Sequence, residues 1–556
     1  MKDRSTLKWI YNQSKAQLPV IVLLAVFRCT ITVLGVVFAL YSKTVIDAAV
    51  SKDFDGLVRA AVSLAGIIVL QIILRLIGQA VEAHIGAKLI LRLRNNIFTS
   101  ILKKDYSAAT SYHSGDILTR INHDTSIVSN GIMSLVPSVM ALLVGLVYAL
   151  YSLTRLDRNF AFIFLFGGIL LLLVISAFRK VLKRTHKRVQ ETEAKVRSFF
   201  QESLGSLLMI KVFGIEQKMS QRAASLQDDN YKAQMTRRNL TIFSTSGLSM
   251  VFSAGSFYAL VWSAYRLFMG TISFGTLTAI IQLVNQIQTP FASLSGVVPQ
   301  YYSIIASAER IIEIDTLPEE KEEHALLEPV AAYKKLKQLR FENLSFGYGR
   351  DIVLENADLT VEKGDFAVIG GISGIGKSTL IKLLLGVLEP QQGKILLEMS
   401  GETVETGKFA RPLFSYVPQG NLLLSGTIRE AISMVKPEAT DEEIMKAAEI
   451  SCAADFIRKL PEGLDTYIGE KGMGLSEGQV QRLAVSRAIL SDAPVILLDE
   501  ATSALDEATE EQLLKNIRAL ENKTCVIISH KRAAFDICNK HIYIENKKIR
   551  VVENEM

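Results

Sequence analysis

At 556 residues, 49% of them apolar and only 21% charged, the chain is too long for one domain and, with a mean hydropathy of +0.27, too hydrophobic for a wholly soluble protein. Its 62 Lys and Arg and 56 Asp and Glu cannot all lie in a bilayer either, so one part sits in membrane and another in water. The apolar content excludes disorder and 12 Pro among 35 scattered Gly exclude collagen; four cysteines without metal-ligand spacing (Cys29, Cys452, Cys525, Cys538) read as reduced thiols, and a net charge of +6 makes no case for nucleic acid.

Long apolar runs occur only before residue 310, at roughly 18–41, 58–82, 131–153, 159–178, 239–268 and 273–305. A span needs about 20 mostly apolar residues, so six transmembrane helices are expected. The first run is too long for a cleavable signal peptide and has no small-residue cleavage site after it. Because it begins near residue 18, no preceding protease domain is expected either. Basic residues set the orientation. Lys2, Arg4, Lys8 and Lys15 precede the first run. Lys88, Arg92, Arg94, Lys103 and Lys104 follow the second, and Arg179, Lys180, Lys183, Arg184, Lys187, Arg188, Lys195 and Arg197 follow the fourth. The opposite connections, 42–56, 154–158 and 269–271, are short and less basic, which predicts cytoplasmic termini and cytoplasmic long loops.

The spans hold two deep charges, Arg28 and Arg75, and no deep acid. Arg75 shares a helical face with Gln71 and Gln79, and Gln282, Asn285, Gln286 and Thr289 form a similar stripe in the sixth run. Two readings stand side by side. Arg28, Gln71, Arg75, Gln282, Asn285 and Gln286 line a polar, cationic translocation cavity suited to a cargo with an anionic or strongly polar group. Alternatively they bond helix to helix, with Arg75 snorkelling to the surface.

Residues 1–310 therefore form a transmembrane domain, and 311–339, with Pro318, Pro329 and the cluster Glu319-Glu320-Lys321-Glu322-Glu323, a linker. From 340 to 556 short apolar runs alternate with helical stretches. Val495–Leu498 and Cys525–Ile528 are continuous apolar tetrads of the kind buried on both faces of a parallel sheet, which makes this domain α/β.

Phe366-Ala367-Val368-Ile369 predicts a buried strand leading into Gly371-Ile372-Ser373-Gly374-Ile375-Gly376-Lys377-Ser378 and the helical Thr379–Leu385. This is G-x-x-x-x-G-K-[ST] in the strand–loop–helix context it requires. Backbone N–H groups freed by glycine turn toward phosphate oxygens, the helix N-terminus favours an anion, Lys377 supplies a point charge and Ser378 a hydroxyl for Mg²⁺. Asp499 and Glu500 close the apolar tetrad Val495–Leu498. An acid at the end of a buried strand can reach Mg²⁺, and the next carboxylate can polarise a water.

With these companions the sequence resembles the ATP-binding cassette family. Leu475-Ser476-Glu477-Gly478-Gln479 is similar to that family's LSGGQ signature, Gln419 in Tyr416-Val417-Pro418-Gln419 to its Q-loop, and Ser503-Ala504-Leu505-Asp506 to its D-loop. His530 matches the switch histidine and Tyr348 the aromatic that stacks on adenine. The membrane half resembles a type I exporter-fold half-transporter: Ser114–Ile121 is similar to the first coupling segment and 202–214 to the second, Thr271–Leu277 and Ser307–Arg310 to that fold's phrasing at and after the sixth span, and Thr466–Gly472 to the loop before the signature. The resemblance implies a dimer with two ATPs at its interface, a homodimer or a heterodimer with a degenerate partner. Gly371, Ser373, Gly374, Gly376, Lys377, Ser378, Thr379, Tyr348 and Gln419 would hold ATP in one chain, and Ser476, Gly478 and Gln479 would reach it from the other. Glu500 would act as general base or water-orienting group, His530 would support the γ-phosphate, and Ser378, Gln419 and Asp499 would face Mg²⁺. Glu477 in place of the signature's first glycine and Ile375 in the P-loop depart from the pattern without disabling it.

ATP-driven export of a peptide, lipid or other amphipathic compound is thus expected, from a bacterial plasma membrane. The alternatives are import of a metal–siderophore complex and an ATP-gated regulatory membrane protein; intact Glu500 and His530 argue against the latter. A soluble cassette ATPase is excluded by the spans.

Overall fold

The computed structural model describes residues 2–157, 162, 184–320, 327–420, 423–469 and 472–553. The fourth apolar run, 159–178, lies outside them except for Phe162, as do Glu470 and Lys471 of the loop before the signature. The chain divides into two compact units, Met1–Ile101 with Ser114–Thr316, and Leu102–His113 with Leu317–Met556.

The first unit is built from long helices: α1 (Leu18–Val50), α2 (Phe54–Leu102), α4 (Thr125–Leu156), α5 (184–205), α6 (Glu216–Phe268) and α7 (Phe274–Asp315). Pro19 sits in the first turn of α1, where its missing N–H costs nothing, and Ser273 caps α7 by accepting from Thr276 N–H at 3.1 Å. Among the described residues four helices are long and apolar enough to cross a membrane: Ser5–Val50, Phe54–Leu102, Ser114–Leu156 and Glu216–Phe268. The sixth run forms α7 over its whole length but falls outside this group, because Gln282, Asn285, Gln286 and Gln288 interrupt its apolar face.

Close packing is carried by small residues on α4. A Cβ on Gly145 would lie 2.3 Å from Thr32 Cγ2, and one on Gly131 only 2.2 Å from Ile304 Cδ1, so side chains of α1 and α7 seat directly on the glycine positions of α4. Val36, Ala39, Ala149, Leu153, Ile280, Leu283 and Ile287 fill one core, and Leu24, Leu89, Leu93, Val128, Met133 and Ile311 another. By contrast, the apolar windows of α2 and α6 are only 6% and 11% buried within this one chain.

In the second unit an antiparallel sheet is ordered β2-β1-β4-β5: β1 (Leu336–Tyr348), β2 (Asp351–Glu362), β4 (Gln392–Met399) and β5 (Glu402–Glu405). A six-stranded sheet runs β10-β9-β3-β8-β7-β6: β3 (Phe366–Gly370), β6 (Phe414–Val417), β7 (Val495–Asp499), β8 (Thr524–Ile528), β9 (Lys540–Glu545) and β10 (Lys548–Glu553). Every residue of β3, β7 and β8 is buried, which is why these strands read as unbroken apolar runs.

The short helix α3 (Tyr106–Thr110), capped by Asp105, belongs to this second unit. A Lys104–Glu319 ion pair at 3.1 Å and backbone bonds from Asp105 to Pro318 and from Glu320 to Lys103 hold it there. Ser114–Ile121, the expected first coupling segment, groups with the membrane unit, whereas Leu102–His113 groups with the second unit. Ser114–Thr119 runs through a π-helical turn, Arg120–Asp124, straight into α4, and so belongs to the membrane unit.

Candidate active site

Parallel register brings the chemistry to one edge. Ile369 pairs with Ile528, and Ile528 with Asp499, while β6 runs parallel beside β7. The residues just past these four strand ends, 371–378, 529–530, 499–500 and 419, therefore emerge together at the carboxyl edge, where open α/β sheets bind ligands.

The P-loop wraps by using positive backbone φ at Gly371 (136°), Gly374 (82°) and Gly376 (110°). Gly376 has no alternative, since a Cβ there would stand 2.1 Å from Val353 Cγ1. It opens α8 (Lys377–Leu384). Lys377 Nζ donates to Gly371 O at 2.8 Å and Ile372 O at 3.2 Å, closing the loop around an ammonium that burial pulls below its ordinary pKa. It also lies 2.9 Å from His530 Nε2, which must accept, so the imidazole proton is assigned to Nδ1. Tyr348, half exposed, stands edge-on to Phe346 with ring centroids 5.0 Å apart, and its hydroxyl is 3.4 Å from Thr379 Oγ1.

Both oxygens of Asp499, which is 1% exposed, are held: Ser378 Oγ donates to one at 2.9 Å and Tyr416 Oη to the other at 3.1 Å. Burial raises this carboxyl above the ordinary range, and burial beside Asp499 likewise holds the Tyr416 phenol well above its usual value. Glu500 adopts a left-handed backbone, φ 51°, fixed by its N–H donating to Ile528 O at 3.0 Å. A non-glycine residue in that region is strained, and the strain swings its carboxylate off the strand direction toward Gln419 Nε2 at 2.7 Å and His530 Nε2 at 3.8 Å. Ser378, Asp499 and Gln419 present oxygen donors of the hard type that suits a small divalent cation.

Ser476 caps α9 (Glu477–Leu490) in a reciprocal box: Gln479 N–H donates to Ser476 Oγ at 3.3 Å and Ser476 N–H to Gln479 Oε1 at 2.8 Å. Glycine is needed at 478 because a Cβ would stand 2.9 Å from Ala504 O of the D-loop. Ser476 and Gln479 bond each other across one helical turn, whereas Ser378 and Lys377 of the P-loop also reach Asp499 and His530.

Sequence reasoning missed three residues. Tyr416, read only as part of the Q-loop motif, anchors Asp499. Gln481, one helical turn after Gly478, donates to Ser503 Oγ at 2.9 Å and accepts from Ala504 N–H at 3.0 Å. Arg482 lies with its guanidinium carbon 4.9 Å from the Phe456 ring centroid and donates to Cys452 O at 2.7 Å. The i+3 step from Gly478 to Gln481 was the available signal for the second of these.

In the membrane unit the expectation of deep cations without a deep acid is corrected. Arg28 Nη2 pairs with Glu82 Oε2 at 2.7 Å, and Nη1 bonds the Ser138 hydroxyl and, at 3.3 Å, Ser134 O. Glu82 ends the second apolar run, and the helix carries it back alongside Arg28. Gln286 donates to Gly35 O at 2.6 Å and Gln71 to Ile31 O at 3.5 Å, both helix to helix. Gln282 is half-buried, and Arg75 and Asn285 are exposed. The six residues are not brought together into one cluster of bonds.

Comparison with known proteins agrees with both units. Residues 20–291 match the family model of the ABC transporter transmembrane region, and 354–503 match the ABC transporter model. The Aspergillus fumigatus protein named iron-sulfur clusters transporter atm1, mitochondrial, is 30% identical over 91% of this chain and 71% of its own length. The ATP-dependent lipid A-core flippase of Desulfotalea psychrophila is 27% identical over 84% of this chain and 81% of its own. The solved structure of a bacterial Atm1-family ABC exporter with ATP bound superposes with a TM-score of 0.80 at 22% identity, covering 97% of this chain and 95% of that one. A helical membrane domain and a nucleotide-binding α/β domain in one polypeptide, each matched by the corresponding family model, make this chain a member of the ABC transporter family, an integral membrane ATPase that drives transport.

Proposed function

We propose that the chain is one half of a dimeric exporter with both termini cytoplasmic and six spans, acting in a bacterial plasma membrane. ATP lies along the P-loop with its adenine on Tyr348, and Ser476, Gly478 and Gln479 of a second chain complete the site. The observation that carries this is the meeting of Lys377, Asp499, Glu500, Gln419 and His530 through contacts of 2.7–3.8 Å at one sheet edge. The boundaries 1–310, 311–339 and 340–556 are kept for the functional domains.

The residues fit Mg²⁺: Ser378, Asp499 and Gln419 would hold it, and it would supply charge neutralisation for the phosphates. Lys377 positions the phosphates by charge. Glu500 orients the attacking water and accepts its proton at the carboxylate, steered by Gln419. With Lys377 turned to the phosphates, His530 would carry its proton on Nε2 and donate it as a hydrogen bond to the γ-phosphate. Catalysis is then mostly positioning in a site from which a second chain excludes water.

The cargo is an amphipathic compound with a large apolar part. A groove of about 330 Å³ is lined by Val22, Ala25, Val26, Cys29, Thr30, Val33 and Met140. No charged residue is among those lining residues, and Arg28 is paired with Glu82, so an anionic group is not what this groove selects. ATP-dependent uptake into inverted vesicles, assayed with amphipathic peptides, lipids and metal–siderophore complexes, tests this. Accumulation of a peptide or lipid supports it; ATP-dependent movement of a siderophore complex in the opposite direction replaces it with import.

A further inference from the structure

The D-loop is held from two sides by side chains that neither touch ATP in the reading above nor belong to a named motif position. Its exposed tip, Ser503 and Ala504, is flanked by the buried Thr502 and Leu505. Within the loop, backbone bonds run only from Ser503 to Glu500 O at 3.2 Å and from Leu505 to Thr502 O at 3.1 Å. Side chains satisfy much of the rest. Lys531 Nζ donates to Thr502 O at 2.9 Å and Leu505 O at 2.6 Å, and forms an ion pair with Glu510 Oε2 at 3.1 Å without a hydrogen bond to that oxygen. Glu510 is fully buried, and its other oxygen accepts from Thr502 Oγ1 at 2.7 Å. From the opposite side Gln481, 7% exposed, donates to Ser503 through its amide nitrogen and accepts from Ala504 N–H through its amide oxygen.

These two anchors have different neighbours. Lys531 directly follows His530, whose ring accepts from Lys377. Gln481 lies on α9, whose N-terminus is capped by Ser476. We propose that Gln481 and Lys531 are positioning residues that make the D-loop a rigid link between His530 at the chain's own ATP and the signature end that the chain lends to its partner's ATP. The inference rests on the two-site dimer reading. When loss of the γ-phosphate displaces His530, Lys531 drags Thr502 and Leu505, and Gln481 passes the shift to α9.

The test uses the full chain in lipid nanodiscs. Lys531→Met is combined with Glu510→Gln so that no buried carboxylate is left unpaired, beside Lys531→Arg, Gln481→Leu and Gln481→Glu, with thermal unfolding checked for each. Turnover at saturating ATP is expected to fall about tenfold in the Lys531/Glu510 and Gln481→Leu variants, while affinity for a non-hydrolysable ATP analogue stays within about twofold. Lys531→Arg is expected to restore most of the turnover, and Gln481→Glu, which keeps the acceptor and loses the donor, to fall between. Combining the two disabled anchors costs no more than either alone, as one link broken at two points requires. Wild-type turnover is cooperative in ATP, and the variants lose that cooperativity. Unchanged turnover, a parallel loss of ATP affinity, additive losses, or a wild type without cooperativity would overturn the link. A wild type with no ATPase at all, equal to Glu500→Gln, would instead remove the dimeric ATPase reading on which the link stands.

Discussion

The two halves of this chain treat their polar residues in opposite ways. In the cassette Lys377, Ser378, Gln419, Asp499, Glu500 and His530 converge through contacts of 2.7–3.8 Å at the edge of one sheet, where a ligand can reach them. In the membrane unit Arg28, Gln71 and Gln286 spend their hydrogen bonds on neighbouring helices. A phosphate site demands fixed atoms at fixed spacing, whereas a polar group within a span must first be satisfied by whatever helix lies beside it.

The contrast can be broken most severely at Lys377. Lys377→Ala should weaken ATP binding by about a hundredfold, read by calorimetry, and bring ATPase to background. Next comes the ion pair inside the spans. Arg28→Leu leaves the Glu82 carboxylate unpaired and should lower stability in detergent by about 2–3 kcal/mol, whereas Arg28→Leu with Glu82→Leu should recover most of it. A double variant that stays folded yet loses cargo-stimulated ATPase would return Arg28 to the cargo path. Gly376→Ala forces a Cβ against Val353 in left-handed backbone, and a cost of about 1–2 kcal/mol should appear in thermal unfolding together with weaker ATP binding. Smallest is Gln286→Leu, which removes one helix-to-helix bond and should cost about 0.6 kcal/mol without changing basal turnover.

How far the sequence could be read follows the same division. Buried parallel strands announce themselves as apolar tetrads, and the P-loop's glycines have positive φ where the motif places them, so the strands and the loop that meet at this sheet edge were legible in the sequence. Tyr416, Gln481 and Lys531 were not, because each acts through a contact with a segment distant in sequence. Glu82 was overlooked because it ends an apolar run, and only the pairing of α1 with α2 shows that it faces Arg28. Ser114–Ile121 carries the pattern expected of the first coupling segment, but the residues that fold with the cassette are Leu102–His113.

The most direct test of the account is steady-state ATP hydrolysis by the full chain in lipid, wild type against Glu500→Gln. With Glu500 as the group that takes the water's proton, the variant should lose turnover by about 10²–10⁴-fold while binding ATP as tightly as the wild type. Wild-type turnover in the Glu500→Gln chain would contradict it.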